Sequence, residues 1–307
     1  MQRSIYCLHI IHTFDSSPPP SFSFFQILIK YHQHSQLTHT HTHTHTYLIN
    51  TKIHRSVAEI VIFKVRFEMV AQEFTVDLDK PLVFQVGHLG EAYQEWVHQP
   101  IVSKEGPRFF KSDFWEFLTL NRWYSIPIIW LPVVCWYTAK AFKMGQSPPQ
   151  IAIILVFGIF IWSLMEYTLH RFLFHIKTKS YWGNTAHYLL HGCHHKHPQD
   201  GLRLVFPPTA TAILLVPLWK ILNLLSTPTV APALFAGILL GYVMYDCTHY
   251  YLHNGQPRNE ISKSLKKYHL NHHFRIQTKG FGITSSLWDS VFGTLPQTKS
   301  HEKERKQ

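Results

Sequence analysis

Histidines set the chemical possibilities of this sequence. Four short blocks of them fall in its C-terminal half: His170-Arg-Phe-Leu-Phe-His175, His187-Tyr-Leu-Leu-His191-Gly-Cys-His194-His195, His249-Tyr-Tyr-Leu-His253 and His269-Leu-Asn-His272-His273. On a helix, residues three and four apart share a face. His191, His194 and His195 have that spacing, as do His269, His272 and His273, and His249 and His253 are four apart. Each of these blocks can therefore turn its imidazoles toward one point. His170 and His175 are five apart, which diverges on an ideal helix, so that block is expected where a helix ends. Neutral imidazole suits zinc, copper, iron and nickel. One such pair would read as surface or core histidines, but four blocks with matched spacing point to a metal centre. The ten imidazoles with these spacings, His187 left aside, exceed what one tetrahedral zinc takes, so two metals are implied.

The elements that must position these blocks are apolar. The 307-residue chain has a mean hydropathy near zero, but this average hides long apolar runs that alternate with basic loops. A spanning helix needs about 20 mainly apolar residues. Four candidates are residues 123–142, 150–167, 204–225 and 230–247. The Gly-Gln-Ser-Pro-Pro turn at 145–149 joins the first two as one hairpin, and Ser226-Thr-Pro-Thr joins the others as a second. The first two blocks follow the second span and the last two follow the fourth. An even number of crossings puts all four on one face of the membrane. The same face carries most of the basic loop residues, including Lys177, Lys196, Arg203, Lys263, Lys267 and Arg275, and is therefore read as cytosolic, with both termini. The net charge of +11 is accounted for in this way, and no nucleic-acid module is visible.

The expected architecture is all-α and integral to the membrane: two hairpins of spanning helices carrying a cytosolic, His-rich helical cap around a di-metal centre. Residues 1–68 contain a Ser/Pro/Phe-rich stretch and a His-Thr alternation at 38–46. They read as a low-complexity leader, possibly a translated untranslated stretch with the natural start at Met69. The alternative is a His-rich metal-binding tail. Residues 69–121 read as a cytosolic or interfacial lead-in, 122–297 as the membrane domain and 298–307 as a basic tail. Cys135 and Cys247 lie in apolar runs as packing residues, and Cys193, between proposed ligands, is not counted as one. Glu166 and Asp246 lie near span ends, where charge is costly and commonly functional. Glu166, four residues before His170, could steady that ring from behind. The competing reading for such an acid is an interfacial pair with a nearby Arg.

With its boxes at His170/His175, His191/His194/His195, His249/His253 and His269/His272/His273, the chain resembles the fatty acid hydroxylase superfamily of membrane di-metal oxygenases. Within it, the stretches Lys80-Pro-Leu-Val-Phe-Gln-Val-Gly-His-Leu-Gly, Glu95-Trp-Val-His-Gln-Pro-Ile and Tyr167-Thr-Leu-His-Arg-Phe-Leu-Phe-His are similar to plant sphingolipid fatty acid 2-hydroxylases. The resemblance implies O2-dependent hydroxylation at C-2 of a very-long-chain acyl group, as ceramide or free acid, at two irons. Zinc would fill the same imidazoles without supporting redox chemistry. The superfamily pattern uses ten ligands and begins its second box at His191, which leaves His187, with Glu166 and Asp246, behind the ligands. Fungal and animal relatives carry a cytochrome b5 domain with a His-Pro-Gly-Gly motif. Here the one His-Pro is His197-Pro-Gln-Asp, so no haem is expected in this chain, and the implied electron donor is a separate cytochrome b5. The tail Lys303-Glu-Arg305-Lys-Gln resembles an endoplasmic-reticulum retrieval signal. The rival readings are a sterol or carotenoid oxidase or desaturase with the same boxes, and a non-enzymatic zinc-binding membrane protein or transporter. A transporter would place polar ligands within its spans, whereas these histidines gather at span ends.

Overall fold

The computed structural model describes residues 74–296. The expectations for residues 1–68 and for the tail 298–307 lie outside the described residues. Among the described residues the chain is helical, with no strand. A 3-10 stretch, Val86–Ala92, leads into the short helix α1 (Tyr93–Val97), and α2 (Asp113–Thr119) follows. Then come α3 (Ser125–Lys143) and α4 (Pro148–Thr168), the latter continuing through a π-helical turn, Leu169–Phe174. Next, α5 (Tyr181–His187), a second π turn (Tyr188–Gly192) and α6 (Cys193–Lys196) form one run. The chain closes with α7 (Pro208–Leu225), α8 (Ala231–Asn254), α9 (Glu260–Phe274) and α10 (Leu287–Val291).

Four of these helices are long and apolar enough to cross a membrane: α3, α4 with its π turn, α7 and α8. They are the four predicted spans with shifted ends, and local chemistry explains the shifts. Ser147 and Gln150 form a capping box, with Ser147 N–H donating to Gln150 Oε1 at 2.8 Å, so α4 starts at Pro148. Proline favours the first helical position, and the Pro207-Pro208 pair starts α7 there rather than at residue 204. Leu204 and Val205 are instead buried in the approach to it. The fourth span runs on to Asn254, so His249 and His253 ride on its last turns instead of following it.

The organising helix is α8. About 72% of its apolar window is buried inside the protein, against 17–22% for the other three. It packs along α4 and α3, whereas helices joined directly by a turn, α3 with α4 and α7 with α8, touch much less. The two predicted hairpins are thus tied together through α8 rather than standing as separate pairs. Small residues let the backbones approach. A Cβ on Gly158 would come 2.7 Å from Gly237 Cα, and one on Gly237 would come 2.5 Å from the Leu155 carbonyl oxygen.

The lead-in to the membrane domain is packed onto the second histidine block. Leu82, Val83, Tyr93, Val97 and Phe109 form a buried cluster with Tyr188 and Cys193. Lys196 is buried beneath it, its Nζ donating to the Trp96 carbonyl (2.9 Å) and the Gln99 carbonyl (2.7 Å) above the Trp96 ring.

Candidate metal centre

The ends of α4 and α8, the α5–α6 run and α9 converge, and their histidines sort into two groups of five. The first is His170, His175, His191, His195 and His272; the second is His194, His249, His253, His269 and His273. Within each group the ligand atoms lie within 4.8 Å of one another. All ten residues proposed from sequence are therefore brought together. Cys193 and His187 belong to neither group.

The partition differs from the expectation that each block aims at a single point. The second block gives His191 and His195 to the first group and His194 to the second. The fourth gives His272 to the first and His269 and His273 to the second. Positions i and i+4 lie on one helical face, while the residue between them points elsewhere, so each three-histidine block serves both groups. The groups abut: the rings of His195 and His273 stack at 4.3 Å between centroids.

The five-residue spacing of His170 and His175 is reconciled by the π turn. A π turn closes hydrogen bonds five residues apart, and His175 N–H donates to the His170 carbonyl at 3.2 Å. The wider turn brings both rings to one side, with their Nε2 atoms 3.3 Å apart. His175 is the residue at which this helix ends, as expected.

Nε2 is the atom that faces inward throughout. In the first group, His170 and His191 approach to 3.1 Å, His195 and His191 to 3.1 Å, and His272 and His175 to 2.9 Å. In the second, His194 and His249 approach to 2.9 Å, and His253 and His269 to 2.8 Å. Two rings have their tautomer fixed from behind. His170 Nδ1 donates to the Phe281 carbonyl (2.5 Å) and His272 Nδ1 to the Lys279 carbonyl (2.8 Å). A carbonyl only accepts, so the proton is on Nδ1 and the Nε2 lone pair points into the group. Burial, reinforced by the neighbouring imidazoles, holds His191, His194, His195, His269 and His273 well below the usual histidine range, and His272 at about 3. The site is thus a set of neutral imidazoles, the form that ligates metal.

The residues expected behind the ligands act at one remove. Among the described residues Glu166 bonds to no histidine ring; its Oε1 accepts from the Ile283 and Thr284 amides (2.7 and 2.8 Å) and its Oε2 from the Thr284 hydroxyl (2.7 Å). It thereby holds the loop whose Phe281 carbonyl meets His170, and among the described residues it pairs with no Arg. Asp246 accepts at Oδ2 from the Phe206 amide (3.0 Å) and the Tyr242 hydroxyl (3.2 Å). His187 bonds through Nδ1 to the Tyr93 hydroxyl at 2.6 Å, and burial lowers its pKa to about 4.

Four contributors lie outside the set expected from sequence. His98 lies over the first group, 6.2 Å from His175 in a stacked arrangement and 5.3 Å from His195 between ring centroids. The carbonyls of Lys279 and Phe281 carry no residue-type signature. Asp289 is fully buried and binds the same loop.

A cavity of about 330 Å³ reaches the centre. Its wall includes His191 from the first group, His194 and His249 from the second, and Tyr245 and Asp246. The rest is mainly apolar, with Phe174, Leu189 and Leu190 among its lining.

Comparison with known proteins agrees with this architecture. A sequence model of the fatty acid hydroxylase family matches residues 155–294. The dihydroceramide fatty acyl 2-hydroxylase FAH2 of Arabidopsis thaliana is 73% identical over 235 residues, which cover 76% of this chain and 99% of that protein. The human fatty acid 2-hydroxylase is 44% identical over 249 residues, covering 74% of this chain and 66% of that protein. A solved structure of full-length scs7p, in which only the hydroxylase domain is visible, superposes with a TM-score of 0.69 at 39% identity, covering 74% of this chain and 87% of that one. The chain is a helical, multi-pass membrane protein of the hydroxylase class, with histidine clusters that could hold metal ions. It belongs to the fatty acid hydroxylase family.

Proposed function

We propose that this chain is a fatty acid 2-hydroxylase that inserts oxygen from O2 at C-2 of the very-long-chain acyl group of ceramide-type lipids. The observation that carries the reading is the apolar cavity walled at one end by imidazoles of both five-histidine groups. The donor set fits two metal ions: one held by His170, His175, His191, His195 and His272, the other by His194, His249, His253, His269 and His273. Iron is the metal that suits the reaction, and when bound it would supply the binding and reduction of O2. Zinc fits the same donors but is redox-inert.

The chain's own residues then have definite tasks. The apolar wall formed by Phe174, Leu189 and Leu190 takes the acyl chain out of water and holds C-2 beside the histidines, a positioning effect. Asp246, on the same wall, is placed to accept a hydrogen bond from an amide or hydroxyl of the lipid head. The carbonyls of Lys279 and Phe281 keep His272 and His170 in the ligating tautomer. Electrons come from a separate cytochrome b5. The protein resides in the endoplasmic-reticulum membrane with its histidine end cytosolic, residues 122–297 forming the catalytic membrane domain and 69–121 the cytosolic or interfacial segment that precedes it.

The relatives' names favour acyl hydroxylation over sterol or carotenoid oxidation, and the cavity favours an enzyme over a zinc store. The test is lipid mass spectrometry of a host without 2-hydroxylated ceramides that expresses this chain. Ceramides with 2-hydroxy acyl chains should appear with the wild-type chain and not with His194→Ala. Oxidised sterols or carotenoids instead, or no oxidised lipid from an iron-loaded protein, would overturn the reading.

A further inference from the structure

The peptide group between Phe281 and Gly282 has the metal centre on one side and a buried carboxylate on the other. Its carbonyl accepts from His170 Nδ1, and its N–H donates to Asp289 Oδ2 at 2.7 Å. Asp289 has no exposed surface and receives further donors at Oδ1, the Phe281 amide (2.9 Å) and the Thr294 hydroxyl (2.7 Å). Every one of these groups donates to it. The chain of donors continues outward. Since its O–H points to Asp289, the Thr294 hydroxyl accepts from the Tyr167 hydroxyl (2.8 Å), which in turn accepts from Arg171 (2.8 Å). Arg171, Tyr167 and Thr294 thus form one line of hydrogen bonds running to Asp289. From the opposite side, His170 reaches the same carboxylate through the Phe281–Gly282 peptide.

We propose that Asp289 is the carboxylate partner of His170, acting through the Phe281–Gly282 peptide as a positioning residue, and that it governs metal binding by the first five-histidine group selectively. Ligating imidazoles commonly donate their outer N–H to a carboxylate or to a carbonyl, which fixes the tautomer and raises ligand basicity. Here both acceptors stand in series. A peptide whose N–H donates to a carboxyl oxygen has a more negative carbonyl, because consecutive hydrogen bonds polarise one another. The local sequence is built for this contact. A Cβ on Gly282 would lie 2.0 Å from the Ser285 carbonyl oxygen, so only glycine lets this stretch close on Asp289. Glu166 fixes the next two amides, leaving the loop little freedom to turn its carbonyl away. The selectivity follows from connectivity: the loop carbonyls at 279 and 281 meet His272 and His170, both of the first group. Among the described contacts no imidazole of the second group bonds to residues 279–284.

The inference rests on the reading that both groups bind metal, and zinc titration of the full chain in detergent separates the two. Wild-type protein should bind two zinc ions against a chelating dye; fewer than two would count against the metal reading itself. With two bound, Asp289→Asn should weaken one of them by roughly 10- to 100-fold and spare the other. Combined with His170→Ala it should add no further loss, whereas combined with His249→Ala it should weaken both. Gly282→Ala, which displaces the peptide from Asp289 while keeping the aspartate itself, should reproduce the same selective loss. Thermal unfolding of the metal-free variants shows whether they fold. Two zinc ions held by Asp289→Asn with wild-type affinity would overturn the proposal. So would a loss shared equally by both groups, or one that adds to that of His170→Ala.

Discussion

His272 and His273 are neighbours in sequence, yet their imidazoles enter different five-histidine groups, with ring planes 87° apart. His272 Nε2 lies 2.9 Å from His175 Nε2 and His273 Nε2 lies 3.1 Å from His269 Nε2. Replacing either with Ala should remove a ligand from one group alone. Metal analysis of the purified variants should give about one ion per chain in each case, and the double replacement close to none. Equal depletion of both ions by His272→Ala would contradict the partition.

Acid should destabilise the metal-free protein from about pH 6.5 downward, where the histidines of the unfolded chain begin to protonate. The unfolded imidazoles titrate near 6.5, while burial keeps the folded ones lower, His272 at about 3. Folded pKa values below unfolded ones mean that the unfolded chain binds more protons in the interval. Stability from this source is therefore complete above about pH 6.5 and declines as pH falls from there toward 3. The thermal midpoint of chelator-treated protein should drop between pH 7 and pH 5. A flat midpoint over that range would argue that the imidazoles are not buried in the absence of metal.

The π turn at Leu169–Phe174 should tolerate substitution but not a change of length. Deleting Leu173 would bring His170 and His175 to a spacing of four. That spacing suits an α-helical face, but the deletion would also turn everything after it by about 100°. Metal binding by the first group should be lost, while Leu173→Ala, at a partly exposed position, should retain it. The check is zinc stoichiometry of the two variants.

Arg203 ties the cavity wall together. Its side chain, only 8% exposed, pairs with Glu116 of α2 and with Asp200 at 2.8 Å, and its guanidinium lies over the Phe109 ring. Replacing it with Met would leave Asp200 and the largely buried Glu116 without their shared cation, a change that costs about 3–5 kcal/mol. Arg203→Met should therefore lower the thermal midpoint markedly. Pairing it with Glu116→Gln and Asp200→Asn should recover much of the loss, since the uncompensated charge is then gone.

At the contact of α4 with α8, Gly158→Leu should cost about 1–3 kcal/mol through overpacking, because its Cβ would meet the Gly237 backbone at 2.7 Å. Met144→Leu, at an exposed turn position, serves as the comparison and should leave unfolding unchanged.

The ten histidines and the four spans were legible because each leaves a mark in the one-dimensional string: repeated residue type at helical spacing, and apolar runs of membrane length. What the string concealed is how the blocks divide. His191 and His194 look like members of one box, and only the turn of the helix sends them to different groups. The support behind the ligands was hidden for another reason. Glu166 was visible as an acid near a span end, but its partners are amides more than a hundred residues away. Asp289 appears in a plain Leu-Trp-Asp-Ser stretch with nothing to mark it. Peptide carbonyls occur at every residue, so those at 279 and 281 acquire a role only when the loop closes.

The division of the histidine blocks also governs when the centre can form during synthesis. The first group waits for His272, the second for His269 and His273, and these three lie within five residues near the end of the described chain. A nascent chain that has already placed α3, α4, α7 and α8 in the membrane still has neither group complete. Both become complete within the same turn of α9. Metal capture is therefore a late event and a nearly simultaneous one for the two groups, and a chain truncated before α9 would carry seven of the ten imidazoles with no finished site to hold an ion.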